Sequence, residues 1–560
     1  MALAAALVFT SCHKPAGKQT KYIPKDAYMV FSLNTKSVVD KINKGGYSVD
    51  SLISMFADNK DSAKKAIDKY QELKNAGIDF DQPATGYFKM GGSIMAGQSV
   101  AAAGIVSLKS TSDFEAFLKK ENPGKDIKKG TNFSYMVLDN SSVAGWNDDV
   151  AIFAGKSNTS PRGTDGIDNI PSATGSARAQ ETLTAMFGLK ESESINSVKG
   201  FDEMAKKAAD LSFFINSEGM PANPMISMSK ISDLLKGSYA IGTADFEDGK
   251  MAVSFTSHPS QAMADLLKKY PSRAIDLGMV DKYPGNVQAF MVGAIDPGLI
   301  PAVIQYLGFD AVANQYLQQG GLTITIADIF KAFKGDFAIV GGDFGTEKKT
   351  ITEMGGYKLP EPTTTEVPTY KLITNFTIDK TNYNKVAAAL AEKGLLVQQN
   401  GQYVVPGMAA GGFTMSAADN NLYIASAADV LQQYTAGTGK NNLPGEVHDK
   451  IKGKTFALYI DINGLISVVP GDNASKQASS DNAKATFKYI LAVGDRGDSK
   501  ETTANLDFVM VNSKENSLVS LIRYLHAQSK IEKANRPSID MGGDAPDSTA
   551  VMPPMPDTTK

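Results

Sequence analysis

The stretch "YIPKDAYMVFSLNTKSVVDKI", residues 22–42, carries the pattern that decides the fold. A tyrosine and a proline open it, and an aromatic and β-branched run of strand length follows. The run ends at Asn34, a residue type favoured at the N-cap of a helix, and a helical spacing of apolar residues comes next. The stretch therefore predicts a β-strand that leads directly into a capped α-helix.

The same pattern returns about 260 residues later in "KYPGNVQAFMVGAIDPGLIPAVI", residues 282–304. Its apolar run ends at Asp296, which Pro297 follows, and this combination is favoured at a helix start. A third such run ends at Asp461. Asn34, Asp296 and Asp461 are therefore all predicted to be helix N-caps.

Four more pairs of blocks follow in the same order in the two halves, which predicts an internal duplication. They are "GIVSLKSTSDFEAFLKK" (104–120) and "TNFTIDKTNYNKVAAAL" (374–390), "NDDVAIFA" (147–154) and "DNNLYIAS" (419–426), "ADLSFFINSEGM" (209–220) and "KTFALYIDINGL" (454–465), and "SYAIGTADFEDGKMAVSF" (238–255) and "YILAVGDRGDSKETTANLDFVMV" (489–511).

The repeat predicts an α+β fold of two tandem similar domains, each mostly antiparallel sheet with packed helices. The first domain is expected at 21–278 and the second at 279–530. The segments "FEDGK" and "ADNNL" lie between apolar runs, and each is expected to form the turn of a hairpin.

Three segments rich in Ser, Thr, Gly, Pro or Asp lack an apolar period. Residues 156–180 lengthen the first half relative to the second, and they are predicted to be an inserted loop. Residues 353–371 are predicted to be a loop of the second half for the same reason. Residues 531–560 contain too few apolar side chains to offset the entropy of ordering them, so a disordered tail is predicted.

The only cysteine of the chain, Cys12, directly follows an apolar run and the small residue Ser11. The run is shorter than the roughly 20 apolar residues that span a bilayer, but it has the length of the apolar core of a secretory signal. Residues 1–11 are therefore predicted to be a signal peptide and residues 12–20 a tether. A lone cysteine also allows no disulfide within the chain.

The apolar residues followed by Thr10, Ser11 and Cys12 resemble the lipobox of bacterial lipoproteins. In that family the signal is cut before the cysteine, and lipid is attached to its sulfur and to its new amino group. The resemblance implies that Cys12 is lipidated and that this lipid binds the protein to a membrane. Exported surface lipoproteins of Bacteroidetes tend to carry acidic residues after the cysteine. Here His13 and Lys14 follow, which favours the outer membrane facing the periplasm over the cell surface.

The lipobox, the opening "IPKDAYMVFSLN" (23–34) and the block "FALYIDINGL" (456–465) together resemble an uncharacterised Bacteroidetes lipoprotein family, the domain of unknown function 4836. The resemblance covers most of the mature chain. It implies an exported, lipidated α+β protein, and it supplies no activity, cofactor or catalytic residue.

Composition argues against several classes of function. The net charge is −3 and the isoelectric point is near 6.0, so no basic excess exists to drive nucleic-acid binding. Four histidines and one cysteine argue against a transition-metal site. The sequence contains no Gly-x-Ser-x-Gly elbow, Walker phosphate loop or His-Glu-x-x-His motif. No catalytic residue, metal or cofactor is therefore predicted.

The weak candidate ligand site is "WNDDVAIF", residues 146–153, which holds the only tryptophan. Trp146 with Asp148 and Asp149 supplies an aromatic ring beside two carboxylates, a set that suits a glycan or a cation. A hairpin turn accounts for the same residues, because the equivalent "DNNLYIA" keeps the turn formers and has one acid fewer. Both interpretations stay open at this point.

These observations predict a lipid-anchored cell-envelope protein that binds a protein or glycan partner, or serves a structural role, without enzymatic activity. A cleft between the duplicated domains is the first place in which to search for a ligand. Two alternatives remain: a hydrolase of glycan or peptide without a recognised motif, and a surface lipoprotein that captures nutrients.

Overall fold

A single large antiparallel sheet runs through both halves of the chain and carries helices on its two faces. The computed structural model describes residues 17–93, 97–159, 175–220, 230–354, 357–467, 473–495 and 499–535. The structure combines this antiparallel sheet with many helices, which confirms the α+β class predicted from the sequence.

In the described part of the first half, the strands are β1 (Met29–Leu33), β2 (Ala84–Ser93), β3 (Gly97–Ser107), β4 (Lys128–Lys129), β5 (Ser134–Val137), β6 (Ser142–Trp146), β7 (Val150–Thr159), β8 (Leu211–Asn216), β9 (Tyr239–Glu247) and β10 (Lys250–His258). Those of the second half are β11 (Val287–Ala294), β12 (Phe333–Met354), β13 (Tyr357–Ile378), β14 (Val397–Gln399), β15 (Gln402–Val404), β16 (Thr414–Ala418), β17 (Asn421–Ala425), β18 (Phe456–Asp461), β19 (Phe487–Gly494) and β20 (Thr502–Met510).

The described helices of the first half are α1 (Thr35–Lys44), α2 (Val49–Phe56), α3 (Lys60–Lys74), α4 (Thr111–Glu121), α5 (Gly175–Phe187), α6 (Phe201–Lys206), α7 (Ile231–Leu235) and α8 (Gln261–Lys269). Those that follow are α9 (Gly278–Asp281), α10 (Leu299–Tyr306), α11 (Asp310–Gln319), α12 (Ile326–Lys331), α13 (Lys380–Glu392), α14 (Ala428–Ala436), α15 (Gly445–Ile451), α16 (Ile462–Ile466), α17 (Ala474–Thr486) and α18 (Ser517–Ala534).

Strand pairing follows the same order in the two halves. In the first half the order is β4-β5-β6-β7-β3-β2-β1-β8-β9-β10. In the second half it is β16-β17-β13-β12-β11-β18-β19-β20, and the hairpin β14-β15 forms a small sheet of its own. Three helices separate β1 from β2, and three separate β11 from β12. The five repeated sequence blocks lie on equivalent strands in this order.

The two halves share one sheet, because β10 pairs with β20 along most of its length, from Lys250↔Val509 to Ser257↔Thr502. The last helix of each half also packs against elements of the other half. Helix α18 packs against α1, α2, β9 and β10, and helix α8 packs against α10. The halves are therefore joined by strand pairing and by two helices that pack across from one half to the other.

Each half has a large apolar core on the same face of the sheet. The first contains Phe201, Phe214, Ile152 and Ile241, and the second contains Phe290, Val292, Tyr459 and Leu491, among others. Side chains alternate between the faces of a strand, so Ala151 on β7 lies in a smaller core on the opposite face. Ile275, Met279 and Val280 belong to the core of the second half, so this core includes a residue that lies just before the predicted boundary between 278 and 279.

Local turn chemistry explains where several elements begin. Asn34 accepts a hydrogen bond from Ser37 N at 3.1 Å and Asp461 one from Gly464 N at 3.1 Å, which confirms both predicted caps. The prediction for Asp296 is wrong. Its Oδ1 accepts from Gly298 N at 2.8 Å, two residues on, which forms a turn ahead of the helix, and α10 begins only at Leu299.

Both predicted hairpin turns are confirmed. Strands β9 and β10 pair from Glu247↔Lys250 onward, and Gly249 has a φ of 76°. Strands β16 and β17 join through Asp419 and Asn420, which have φ values of 49° and 60°. Asn and Asp tolerate the left-handed region, which suits a two-residue hairpin.

Two predicted loops are partly regular structure. Residues 156–159 extend β7, because they pair with β3 through Gln98↔Thr159, and residues 175–180 begin α5. Much of 353–371 lies in β13, which forms with β12 a ribbon whose outer part, from Gly345↔Thr369 onward, pairs only with itself. Its β-branched threonines and valine suit strands. Pro360 and Pro362 lie in an irregular stretch of the pairing.

The two ends of the described chain are also more ordered than predicted. Gln19, in the predicted tether, is buried and donates through Nε2 to Pro83 O at 2.8 Å and to Ser107 Oγ at 2.9 Å. Helix α18 continues to Ala534, beyond the predicted start of the tail at 531. Residues 1–16, with Cys12 and the predicted signal peptide, and residues 536–560 lie outside the described residues.

Candidate functional site

The sequence-predicted ligand residues lie around the turn between β6 and β7. Trp146 is fully buried, stands edge-on to Phe114 at 5.6 Å between ring centroids, and donates from Nε1 to Glu115 Oε1 at 2.9 Å. Its indole therefore offers no surface to a ligand in this structure. Asp148 is exposed, and Asp149 pairs with Lys18 Nζ at 2.8 Å.

The turn itself is built by Asn147, whose Oδ1 accepts from Asp149 N and Val150 N, both at 3.0 Å. Trp146 and the two acids thus separate, the ring into the core and the carboxylates toward solvent. The stretch accordingly has the contacts of a hairpin that also packs the core.

A more developed candidate lies where the two halves meet, in a cleft of about 700 Å3 that we call the central cleft. Its floor consists of β9, β10, β20 and β19, on the sheet face that carries the two large cores. Helix α15 and the turn after it supply one wall. The lining residues are Thr243, Asp245, Glu247, Lys250, Ala252, Val253, Ser254, Asp449, Lys450, Lys452, Lys454, Leu491, Val493, Asn505 and Asp507.

Strand alternation places the polar residues of the floor on one face. Thr243, Asp245 and Glu247 occupy alternate positions of β9, and side chains two residues apart point to the same face. Ala252 on β10 lies opposite Asp245 on one side and opposite Asp507 on the other. Two carboxylates therefore flank one small residue across three adjacent strands.

Asp245 has one oxygen engaged by the protein. Its Oδ1 accepts from Asp210 N at 3.1 Å, and Oδ2 has no hydrogen bond to any described residue. Burial, with the nearby charge of Asp210 and Glu247, raises the pKa of Asp245 above its ordinary value. This carboxyl group is thus available to a hydrogen-bond donor or a cation in the cleft.

Asp507 is held by both halves of the protein. Its Oδ1 lies 3.2 Å from Lys250 Nζ, and its Oδ2 lies 3.1 Å from Lys450 Nζ on α15. Burial disfavours the ammonium of Lys250, but the charges of Asp507 and Glu247 outweigh it and raise the pKa of that lysine. Glu247 Oε2 also lies 3.5 Å from Lys250 Nζ, so the middle of the cleft is a charge-balanced network of two acids and two lysines.

The second-half wall carries a run of lysines at alternate positions, Lys450, Lys452 and Lys454. Lys454 forms an ion pair with Asp495, whose other oxygen accepts from Thr503 Oγ1 at 3.2 Å. Lys452 is exposed and has no ion pair with the residues that the structure describes. This wall therefore keeps one ammonium without an ion pair, and it also carries the exposed carboxylate of Asp449.

Sequence reasoning predicted a cleft between the halves but did not identify its residues. The available signal was the alternation in "TADFEDGK" and "TANLDFVM", where Thr243, Asp245, Asn505 and Asp507 take positions that core residues occupy elsewhere in the sheet. Polar side chains at core-facing positions of central strands indicate a solvated site or a ligand site.

The described histidines lie elsewhere and contact acids or aromatic rings. His258 stacks on Tyr239 at 4.4 Å between ring centroids, and its Nε2 lies 3.6 Å from Glu203 Oε2. His448 Nε2 lies 3.4 Å from Asp281 Oδ2. Within the described ranges, no group of three or more His, Cys, Asp or Glu side chains could hold a metal ion.

In the parts of the chain that the structure describes, no helix has both the length and the apolar character needed to cross a membrane. This observation concerns the helices alone and bears on neither the predicted signal peptide nor Cys12, which lie outside those parts.

No protein-family profile and no curated protein matches the chain. Solved structures titled as crystal forms III and IV of TP0453 are similar to 45% of it, over 85% of their own length, at 8% and 7% identity and a TM-score of 0.22. Crystal form I covers 43% of this chain and 78% of its own, at 8% identity and a TM-score of 0.21. Likenesses at this level establish neither fold nor function, so the function must be argued from the central cleft itself.

Proposed function

We propose that the protein is a non-enzymatic binding protein of the cell envelope, anchored through lipid at Cys12, whose ligand occupies the central cleft. The observation that carries the proposal is a polar cleft, between two halves of like topology, that retains the uncompensated groups Asp245 and Lys452. Sites formed between similar units are frequent places for ligands. We also infer that the two halves arose by duplication of one unit, which the repeated strand order supports.

Ligand binding can be tested by thermal unfolding of the full chain in the presence of a panel of peptides, glycans and other small polar molecules. A ligand at 100 times its Kd stabilises the folded state by about 2.7 kcal/mol, so binding is visible as a higher Tm. We expect a ligand that raises the Tm of the wild type, and a much smaller rise in Asp245→Asn and Lys452→Gln.

The matched controls are Asp68→Asn and Lys64→Gln, which break an exposed pair on α3, far along the chain from the cleft residues. They should respond to the ligand as the wild type does. A ligand whose effect is unchanged by both cleft substitutions binds elsewhere, and that result contradicts the proposed site.

The anchor is tested separately by growing cells with a clickable fatty acid. The wild-type chain should take up the label, Cys12→Ala should take up none, and the neighbouring control His13→Ala should be labelled. An unlabelled wild type contradicts the anchor. Protease treatment of intact cells then decides orientation, because a protein facing the periplasm is protected and a surface protein is digested.

A second candidate function is hydrolysis, and the two unlike carboxylates of the cleft favour it. Asp245 has a raised pKa, whereas Asp507 is paired with two ammonium groups, and acid–base pairs often differ in this way. Turnover of any ligand found in the panel, abolished by Asp245→Asn while binding persists, would favour this function over simple binding. Unchanged ligand after prolonged incubation would exclude it for that ligand.

A further inference from the structure

Most of the charged side chains of the central cleft are sorted by wall. Asp245 and Glu247 lie on β9, on the side of the first half, and the three lysines 450, 452 and 454 lie on the wall of the second half together with a single acid, Asp449. Between them, Asp507 pairs with Lys250 and Lys450, and Glu247 pairs with Lys250 at 3.5 Å. The cleft thus has an acidic end at Asp245, an end at which lysines outnumber acids, and a charge-balanced middle.

Each end keeps a group that the protein does not neutralise. At the acidic end it is the free oxygen Oδ2 of Asp245, and at the basic end it is the ammonium of Lys452. A ligand that matches both groups carries a cationic group at one end and an anionic group at the other. A purely anionic or purely cationic ligand would satisfy one end and meet like charge at the other.

Strand spacing gives the length of such a ligand. Asp245 and Asp507 lie two strand spacings apart, which is about 10 Å between Cα atoms. Lys450 Nζ lies 3.1 Å from Asp507 Oδ2, so the basic end begins beside Asp507. It therefore begins about 10 Å from Asp245. An extended peptide advances about 3.3–3.6 Å per residue, so three residues span the same 10 Å.

The floor between the two ends suits a peptide backbone. Thr243 and Ser254 supply hydroxyl groups and Asn505 supplies an amide, all of which donate and accept hydrogen bonds. Leu491 and Val493 add an apolar strip beside them. A cleft of about 700 Å3 has room for a ligand of this size.

We propose that the central cleft binds a short linear peptide of about three residues with both termini free, its amino group at Asp245 and its carboxylate at Lys452. This inference rests on the proposed function, because it assigns a ligand class to the same cleft.

The test is calorimetric titration of the full chain with trialanine and with its N-acetylated, C-amidated and doubly blocked forms. We expect trialanine to bind, and each single block to weaken binding at least 10-fold. Dialanine and pentaalanine should bind more weakly than trialanine. Because both contacts are charge pairs, affinity for trialanine should fall as the salt concentration rises.

Paired substitutions identify which terminus each residue contacts. Asp245→Asn should reduce the preference for a free amino group over an acetylated one, and leave the preference for a free carboxylate intact. Lys452→Gln should do the reverse, and the control variants Asp68→Asn and Lys64→Gln should alter neither preference. Circular dichroism of each variant verifies that it is folded.

The outcomes separate this inference from the proposed function. Blocked peptides that bind as well as trialanine overturn the dipolar ligand. The dipolar peptide is also overturned if trialanine does not bind, while another molecule of the panel binds the wild type and fails to bind the cleft variants. In that case the proposed function survives. If no molecule of the panel responds to the cleft substitutions, both fail.

Discussion

The carboxyl groups of Asp210 and Asp245 are neighbours, but their surroundings shift their pKa values in opposite directions. Asp210 is buried, yet it accepts from Ser37 Oγ at 2.6 Å, from Phe246 N at 2.7 Å and from the ammonium of Lys41. Burial disfavours the charge, but these donors outweigh it and lower the pKa of Asp210. Asp245 has fewer donors, and its pKa is raised. Asp210 therefore stabilises the fold as a charge, whereas Asp245 does not.

We predict that Asp210→Asn lowers the free energy of unfolding by about 2–3 kcal/mol at neutral pH, because hydrogen bonds to a charged acceptor are lost. Its folded pKa lies below the unfolded value, so this stability is present above the unfolded pKa and disappears as pH falls through the folded one. Urea denaturation at several pH values measures it.

The control for this experiment is Asp202→Asn, which breaks an exposed pair with Lys206 and should cost less than about 1 kcal/mol. An Asp210→Asn protein as stable as the control would show that the buried contacts of Asp210 do not stabilise the fold.

Asp245→Asn is predicted to raise the free energy of unfolding at pH 7. The folded protein binds this proton more tightly than the unfolded chain, so wild-type stability falls as pH rises through the window above the ordinary value of 3.8. Asparagine removes that dependence and keeps an acceptor for Asp210 N. The difference between variant and wild type, measured by urea denaturation, should therefore shrink from pH 7 toward pH 4. A variant less stable than the wild type at pH 7 contradicts this assignment.

Among the secondary-structure elements, the strands of the sheet place glycines against large rings at some positions and against open space at others. A Cβ atom at Gly242 on β9 would lie 1.7 Å from Cζ of Phe213, whereas one at Gly104 on β3 would meet no atom within 4 Å. Both glycines lie on the sheet face opposite the two large cores.

We predict that Gly242→Ala destabilises the protein by about 1–3 kcal/mol, because the ring of Phe213 must move. Gly104→Ala should be neutral or stabilising by less than about 1 kcal/mol, because alanine reduces the entropy of the unfolded chain. Chemical denaturation of the two variants compares them directly. Equal effects would mean that Phe213 does not occupy the space beside Gly242.

Sequence patterns predicted those elements in which local chemistry and packing agree. Asn34, Asp461 and the turn at Asp419 and Asn420 lie where capping and turn preferences placed them. Patterns failed where a partner strand decides the outcome. Residues 156–159 and much of 353–371 are strands because β3 and β12 pair with them, and single-segment composition contains no information on such pairing.

The candidate site illustrates the same limit. Trp146 was a reasonable candidate from its rarity, but its neighbours in space, Phe114 and Glu115, come from α4 and enclose it. The cleft residues come from β9, β10, β20 and the α15 region, which are far apart in sequence. Their assembly depends on the pairing of β10 with β20, which the repeat itself did not predict.

At the scale of the whole molecule, the two halves depend on each other. The pairing of β10 with β20 covers an edge strand on each side, and α8 and α18 each pack on the opposite half. An isolated half would expose an unpaired strand edge and lack a covering helix, which favours aggregation.

We predict that residues 17–271 and 272–535 do not fold when each is expressed alone, and that they form a soluble complex when they are expressed together. Size-exclusion chromatography and circular dichroism of the three samples measure this, with the intact chain as the control. Either half alone giving a monomer with a cooperative unfolding transition would show that it is an independent domain.

The strand pairing between the halves also limits how a ligand can enter. Proteins that trap a ligand by rotating two domains about a flexible hinge need a connection that bends, whereas here a ladder of backbone hydrogen bonds crosses directly beneath the central cleft. Rotation would break that ladder, so a ligand of the proposed cleft would enter without rotation of one half against the other. The protein should consequently have nearly the same overall shape with and without a ligand in the cleft.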